Sequence, residues 1–65
     1  MTPGAHYLVD LGQLVPAMAT SARDAYRMAV LAVYGPGMPA PRECATVYSI
    51  AADGQVLTEV TECTS

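Results

Sequence analysis

Sixty-five residues are enough for one small domain, and a chain of this length hides only about 60% of the surface that its unfolded form exposes. Hydrophobic residues make up 52% of the chain and charged residues 14%, which is too apolar for a disordered polypeptide and sparse in charge for a small monomer. The net charge is −3 and the only cations are three arginines, so nucleic acid is an unlikely partner. We therefore expect the chain to associate with itself or with another protein.

The first organised segment runs from His6 to Leu11 and has the aromatic, aliphatic and β-branched content of a strand. Gly12-Gln13 then fits a two-residue turn with glycine in its first central position. On this interpretation residues 14–19 return as a second strand, which lies at a sheet edge because Pro16 cannot donate to a ladder. Alternatively, Pro16 opens a helix, where its missing N–H costs nothing.

A helix is predicted over Ala22–Tyr34. Ser21 is a suitable N-cap, Asp24 lies in the first turn, and Gly35 followed by Pro36 is a stop signal. Three- and four-residue spacing predicts a core stripe. Its members are Ala22, Ala25, Tyr26, Ala29, Val30 and Val33.

The second half of this helix is apolar on every side, although one sheet can cover only one side. This leaves Met28, Leu31 and Tyr34 for a second subunit or partner, or for the Gly/Pro-rich connector at residues 35–41 to cover. We also expect residues 1–5 to be flexible. A single domain spanning residues 1–65 is the simplest organisation.

The closing segment predicts a β-hairpin that turns at Asp53-Gly54. A three-residue turn at 52–54 places Ala51 opposite Gln55, and it separates polar from apolar faces better than a two-residue turn does. In that register four apolar residues meet the helix, while Val47 and Leu57 have no cover from their own chain. The four are Tyr48, Ile50, Val56 and Val60. The predicted fold is therefore α+β, with one helix on a three- to four-stranded antiparallel sheet in β(β)αββ order.

The same register points Cys44 and Cys63 to opposite faces, whereas the two-residue turn would put them opposite each other. We expect two unpaired thiols, as is normal in the cytosol. With His6 the cysteines lack the close spacing of a zinc site, so no metal or cofactor is expected. No residue beside this single histidine marks a nucleophile or an acid/base pair, and we predict that the protein is not an enzyme.

No stretch approaches the ~20 apolar residues that span a bilayer, and the N-terminus has no basic region followed by an apolar segment. We therefore expect a cytoplasmic location and no membrane partner. The short first hairpin, the Ser21-to-Ala25 helix opening and the Asp-Gly turn resemble features of many small bacterial and phage domains, without identifying a family.

The leading functional hypothesis is a non-enzymatic assembly module that forms a homodimer or higher oligomer. Its predicted interface residues are Met28, Leu31, Tyr34, Val47 and Leu57. The alternative is a small dimeric nucleic-acid-binding regulator that uses Arg23, Arg27 and Arg42 of each subunit, since the first two are one helical turn apart.

Overall fold

A computed structural model of the chain describes residues 4–37 and 44–63. These ranges contain four strands and one helix, here labelled β1 to β4 and α1 in chain order. They are β1 (Ala5–Asp10), β2 (Leu14–Ala19), α1 (Ala22–Tyr34), β3 (Cys44–Ile50) and β4 (Val56–Cys63). The strands form one antiparallel sheet in the order β2-β1-β3-β4, and α1 packs on it and contacts all four strands. The α+β prediction is confirmed, in its four-stranded form.

The first hairpin confirms that residues 14–19 form an edge strand and not the start of the helix. Its turn differs from the prediction, because Asp10 pairs with Leu14 and three residues, 11–13, lie between the strands. The Asp10 carboxylate accepts a hydrogen bond from the Gly12 amide at 3.1 Å, and Gly12 has φ of 93°. An Asp side chain that bonds to the amide two residues later favours this local turn over the shorter one.

Both ends of α1 lie where the sequence predicts them. The Ser21 side chain accepts a hydrogen bond from the Asp24 amide, and Asp24 also accepts one from the Thr20 hydroxyl. At the other end Gly35 has φ of 88°, and its amide donates to the Leu31 carbonyl. Glycine is favoured here because a side chain at positive φ would be strained.

The core lies between α1 and the facing side of the sheet. Ala25, Tyr26 and Ala29 of the helix are buried, and Ala22 and Val30 pack against them. The predicted stripe is wrong at its last member, since Val33 is 39% exposed. From the sheet, the core receives Val9, Ala19, Ala45 and Val47. Small alanines on both layers let the helix approach the sheet closely around the single large ring of Tyr26.

The second hairpin combines both registers that the sequence allowed. At its turn the Ala51 amide donates to the Gln55 carbonyl, as in the three-residue turn. One residue farther on, the pairing shifts between Ser49 and Ile50, so that Ile50 faces Val56 while Ser49 faces Thr58. The residue left over is Leu57, which makes this a β-bulge. Beyond the bulge the strands follow the register of the two-residue turn.

The two sides of β3 are opposite to the prediction, because Val47 pairs with Val9 of β1 on the side of the sheet that α1 covers. Val47 is fully buried in the core, so the prediction that it lacks cover from its own chain is wrong. Tyr48 and Ile50 alternate with Val47 and therefore lie on the side of the sheet away from α1, and Val56 joins them as the partner of Ile50. The prediction used one register along the whole hairpin. The extra residue in β4 turns its side chains beyond the bulge to the other side of the sheet, so that Val60 lies beside Val47 and Glu59 beside Tyr48.

Two predictions fall partly outside the described residues. The flexible start expected at residues 1–5 is described only from Gly4 onward, and Ala5 already belongs to β1. The connector expected at residues 35–41 is described only to Gly37, within a turn.

Candidate functional site

One side of the sheet carries no helix or strand from the described part of the chain. Alternation along each strand, together with the pairing, assigns its members. We call this surface the open face, and its large apolar members are Leu8, Leu14, Pro16, Met18, Tyr48, Ile50 and Val56. A sheet side that faces water usually alternates to polar residues. The open face does not, which makes it the main candidate for an interaction surface.

The centre of the open face is a row that crosses three strands. Leu8 on β1 pairs with Pro16 on β2 and with Tyr48 on β3, so these three side chains lie next to each other. The adjacent row runs from Met18 on the edge strand β2, through His6 on β1, to Ile50 and Val56, and Met18 is 54% exposed. Two neighbouring rows in which most members are large apolar side chains form a continuous patch rather than scattered exposed residues.

A shallow open groove lies at the end of this patch, between β1, β2 and the turn after β3. Its volume is about 510 Å3, and Leu8, Met18 and Ile50 line it together with Gly54. His6 also lines the groove. Tyr7 lines it as well, and its lining contains no Asp, Glu, Lys or Arg, so the groove suits an apolar side chain better than a charged ligand.

Polar side chains also lie on the open face, and His6 on β1 separates Met18 from Ile50 in its row. Glu59 follows Tyr48 in the central row, on the outermost strand β4. Asp10 lies on β1 one row away, and its carboxylate is already bonded to the Gly12 amide. Thr46 and Thr61 face each other at the far end. Charge is therefore depleted at the centre and present at the rim, as in protein–protein interfaces.

A second apolar surface is on the helix. Met28 and Leu31, one helical turn apart, are 49% and 54% exposed, while the exposed Val33 lies on another side of α1. We call Met28 and Leu31 the helix patch. Tyr34, the other helical residue predicted at an interface, is half-buried. The helix patch is narrower than the open face, because Arg23 and Arg27 occupy the neighbouring exposed positions.

Leu57 and Val47, predicted together as uncovered interface residues, have opposite environments. Leu57 is 63% exposed at the bulge on the edge strand β4, whereas Val47 has no exposed surface. Leu57 stays a candidate contact residue, and Val47 is a core residue.

Two of the three arginines lie together. Arg23 and Arg27 are exposed and line one groove of about 540 Å3 between α1 and the end of β4, where Tyr26 and Cys63 also contribute. Arg42 lies outside the described residues. The groove is open, and Asp24 of the same helix is exposed close to it, so the local basic surface is small.

The two cysteines form a disulfide, which corrects the expectation of unpaired thiols. Cys44 faces Cys63 across β3 and β4, and their Cα atoms are 4.0 Å apart. This is near the closer of the two spacings in an antiparallel ladder, about 4.5 Å, rather than the wider one of about 5.5 Å. The bulge accounts for the difference, because an extra residue changes which pairs come close.

Pairing removes both thiols from metal or nucleophilic chemistry. Among the described residues no three His, Cys, Asp or Glu side chains group closely enough to hold a metal ion. The titratable group that burial affects is Tyr26, where loss of solvent, and secondarily the nearby Tyr34, raise the pKa of the phenol. A tyrosine held neutral in a core contributes packing, and we assign it no chemical role.

The open face was missed by the sequence analysis, although its signal was present. In β2, Leu14, Pro16 and Met18 alternate with Val15 and Ala17, so the strand is apolar on both sides. Strands that are apolar on both sides are typical of sheets covered on both sides.

Comparison with protein-family models, with curated proteins and with solved structures finds no match for the chain. Within residues 4–37 and 44–63, no helix has the length and apolar character needed to cross a membrane. Function is therefore argued from the surfaces described above.

Proposed function

We propose that this protein is a non-enzymatic assembly module that associates with further copies of itself through apolar surfaces of its sheet and helix. The observation that carries the proposal is the open face, an apolar sheet surface without cover from the described residues. Covering it removes large side chains from water, which stabilises an oligomer by roughly 25 cal/mol for each Å2 of apolar surface buried.

The size of the chain supports the same proposal. Among the residues that the structure describes, the buried core has seven members, of which four are alanines and one, Tyr26, is a large ring. A core this small contributes little stability, and small domains commonly gain more from association or a disulfide. This chain has the disulfide, and an oligomer would add the second source.

The proposal also concerns the cellular compartment in which the protein works. The sequence led us to expect the cytoplasm, partly because we expected unpaired thiols. A disulfide favours an oxidising environment, where such bonds persist, over the reducing cytosol. We therefore propose that the assembled form works outside the reducing cytosol, or is released from it.

The test is the mass of the native chain in solution. Sedimentation equilibrium or light scattering, over a range of concentrations that reaches tens of micromolar and above, should show at least two copies of the 6.8 kDa chain. A 6.8 kDa monomer at every concentration would contradict the proposal.

One observation keeps the nucleic-acid alternative as a second candidate: Arg23 and Arg27 line the same groove. If a dimer binds DNA through them, affinity should fall steeply with salt, with a slope of about −0.9 for each phosphate contact. The control is the double variant Arg23→Gln/Arg27→Gln, which should flatten that slope. This role would be excluded if binding of the chain to DNA did not change with salt, or if the double variant bound DNA equally well.

A further inference from the structure

We infer that the open face is covered by the open face of a second copy, related by a two-fold axis that runs parallel to the strands between β1 and β3. The inference rests on the proposed function and adds to it the surface and the arrangement. Sheets stacked in this way keep their strands within about 30° of each other and interdigitate their side chains.

This axis exchanges β1 with β3 and β2 with β4. Leu8 of one copy then lies opposite Tyr48 of the other, because these two residues face each other across the axis within one sheet. In the next row His6 lies opposite Ile50 of the second copy, and Met18 lies opposite Val56 on the edge strands. Leu8 and Tyr48 thus meet at the centre of the contact.

The charged residues are also compatible with this axis. Glu59 on β4 comes opposite Pro16 of the second copy, and Asp10 comes opposite Thr46. Neither carboxylate meets another carboxylate: Glu59 is on an edge strand, and Asp10, beside the axis, already accepts a hydrogen bond from the Gly12 amide. Like charges placed opposite each other would oppose association.

A two-fold axis perpendicular to the strands is less favourable. If it passes through the central row, it stacks that row on itself and brings Glu59 against Glu59 of the second copy. It would also bring His6 near Asp10, but that carboxylate already accepts a hydrogen bond from the Gly12 amide. An exposed ion pair gains little, so it would not offset the like-charge contact.

The area of the open face indicates a weak and reversible dimer. Four strands spaced by about 4.8 Å, each with about six residues that rise 3.3 Å, give a face of roughly 400 Å2 in projection. Two such faces together approach the ~1,000 Å2 at which specific interfaces begin. The dimer should therefore dissociate on dilution, and the test must span concentrations on both sides of its dissociation constant.

The first experiment compares two lysine substitutions. Leu8→Lys places a charge at the centre of the open face, and Leu31→Lys places one in the helix patch, at a residue that is already exposed. We expect Leu8→Lys to be monomeric where the unaltered chain is dimeric, and Leu31→Lys to dimerise as the unaltered chain does. Circular dichroism checks that both fold, and Met18→Lys replaces Leu8→Lys if that variant does not.

The outcomes separate the inference from the proposed function. If Leu31→Lys dissociates the oligomer and both open-face variants leave it intact, the helix patch is the interface; the inference fails and self-association stands. If the unaltered chain is monomeric at every concentration, both fail.

The second experiment tests the axis by crosslinking, with the Cys44–Cys63 bond left intact and verified by peptide mass. Leu8→Cys and Tyr48→Cys chains are prepared separately and then mixed under mild oxidation. A strand-parallel axis gives covalent dimers in the mixture and little in either variant alone. Crosslinking of Leu8→Cys with itself, and not with Tyr48→Cys, would overturn the axis in favour of the perpendicular one.

Discussion

Cys44 and Cys63 lie directly opposite each other on β3 and β4, with Cα atoms 4.0 Å apart and a disulfide between them. Near the turn the hairpin follows another register, in which Ala51 faces Gln55. The change takes place at the bulge, where Leu57 is the extra residue. The bulge therefore lets the cysteines pair, whereas Val47 is buried because it lies beside Val9 on the side that α1 covers.

The disulfide should be a main source of stability. Cys44 and Cys63 are 19 residues apart in the sequence, and closing a loop of this length removes unfolded-state entropy worth about 3 kcal/mol. We expect the double variant Cys44→Ser/Cys63→Ser to lose about that much free energy of unfolding, as measured by urea denaturation. When the chain without substitutions is denatured in the absence of reductant, an alkylating reagent should modify neither cysteine.

A reductant provides the matched control for this prediction. It should lower the stability of the native chain to near that of the double variant, and it should leave the double variant unchanged. Two alkylated thiols in the unreduced protein, or no effect of reductant on the native chain, would mean that the bond does not form.

The helix could be predicted to the residue because its signals are local. The Ser21 side chain caps the first turn by accepting the Asp24 amide, and Gly35 before Pro36 ends the helix. Each signal lies within a few residues of the end that it marks. The strands and their pairing in two hairpins were predictable for the same reason, since turn residues mark them.

Long-range features could not be predicted in this way. A bulge depends on how a whole strand fits its neighbours, and nothing adjacent to Leu57 marks it as the extra residue. The candidate interface was affected directly: Met28, Leu31 and Leu57 are exposed as expected, but Val47 is not. The open face depended on sheet order, because it forms only when β1 lies between β2 and β3.

Val47 and Leu57 provide a matched pair that tests the corrected register. Val47→Ala should lower the free energy of unfolding by about 2 kcal/mol, because it removes two buried methyl groups and leaves a cavity. Leu57→Ala should change it by less than about 0.5 kcal/mol, as is usual at exposed positions. Both free energies of unfolding are measured at concentrations at which the chain is monomeric. Small and similar losses for both variants would instead support the arrangement predicted from the sequence, in which neither residue has cover from its own chain.

The helix cap should contribute measurably. The Ser21 hydroxyl accepts the Asp24 amide at 3.2 Å, so Ser21→Ala should cost about 1 kcal/mol of stability, while Ser21→Asp should retain most of it. Thr20→Ala is the control, because it removes only the exposed hydroxyl that donates to the Asp24 carboxylate. Equal losses for Ser21→Ala and Thr20→Ala, in thermal or urea unfolding, would show that the cap contributes no more than a surface hydrogen bond.

Burial of Tyr26 should make the fold sensitive to alkaline pH. Loss of solvent raises the pKa of this phenol in the folded chain, and the nearby Tyr34 raises it further. The unfolded chain ionises near the ordinary tyrosine pKa of about 10. The contribution of the protonated Tyr26 to the free energy of unfolding is therefore fully present below about pH 10, and it is lost as pH rises through the higher pKa of the folded chain.

The titration of Tyr26 can be isolated by difference. Near-ultraviolet absorbance of tyrosinate, recorded for the native chain and for Tyr26→Phe, gives the ionisation of Tyr26 as the difference between the two curves. We expect its midpoint above the ordinary range in the folded chain and within that range in urea. Tyr34→Phe should lower the folded midpoint only in part, because burial is the larger cause. A folded midpoint equal to the one in urea would mean that the phenol is solvated and that α1 does not pack on the sheet through Tyr26.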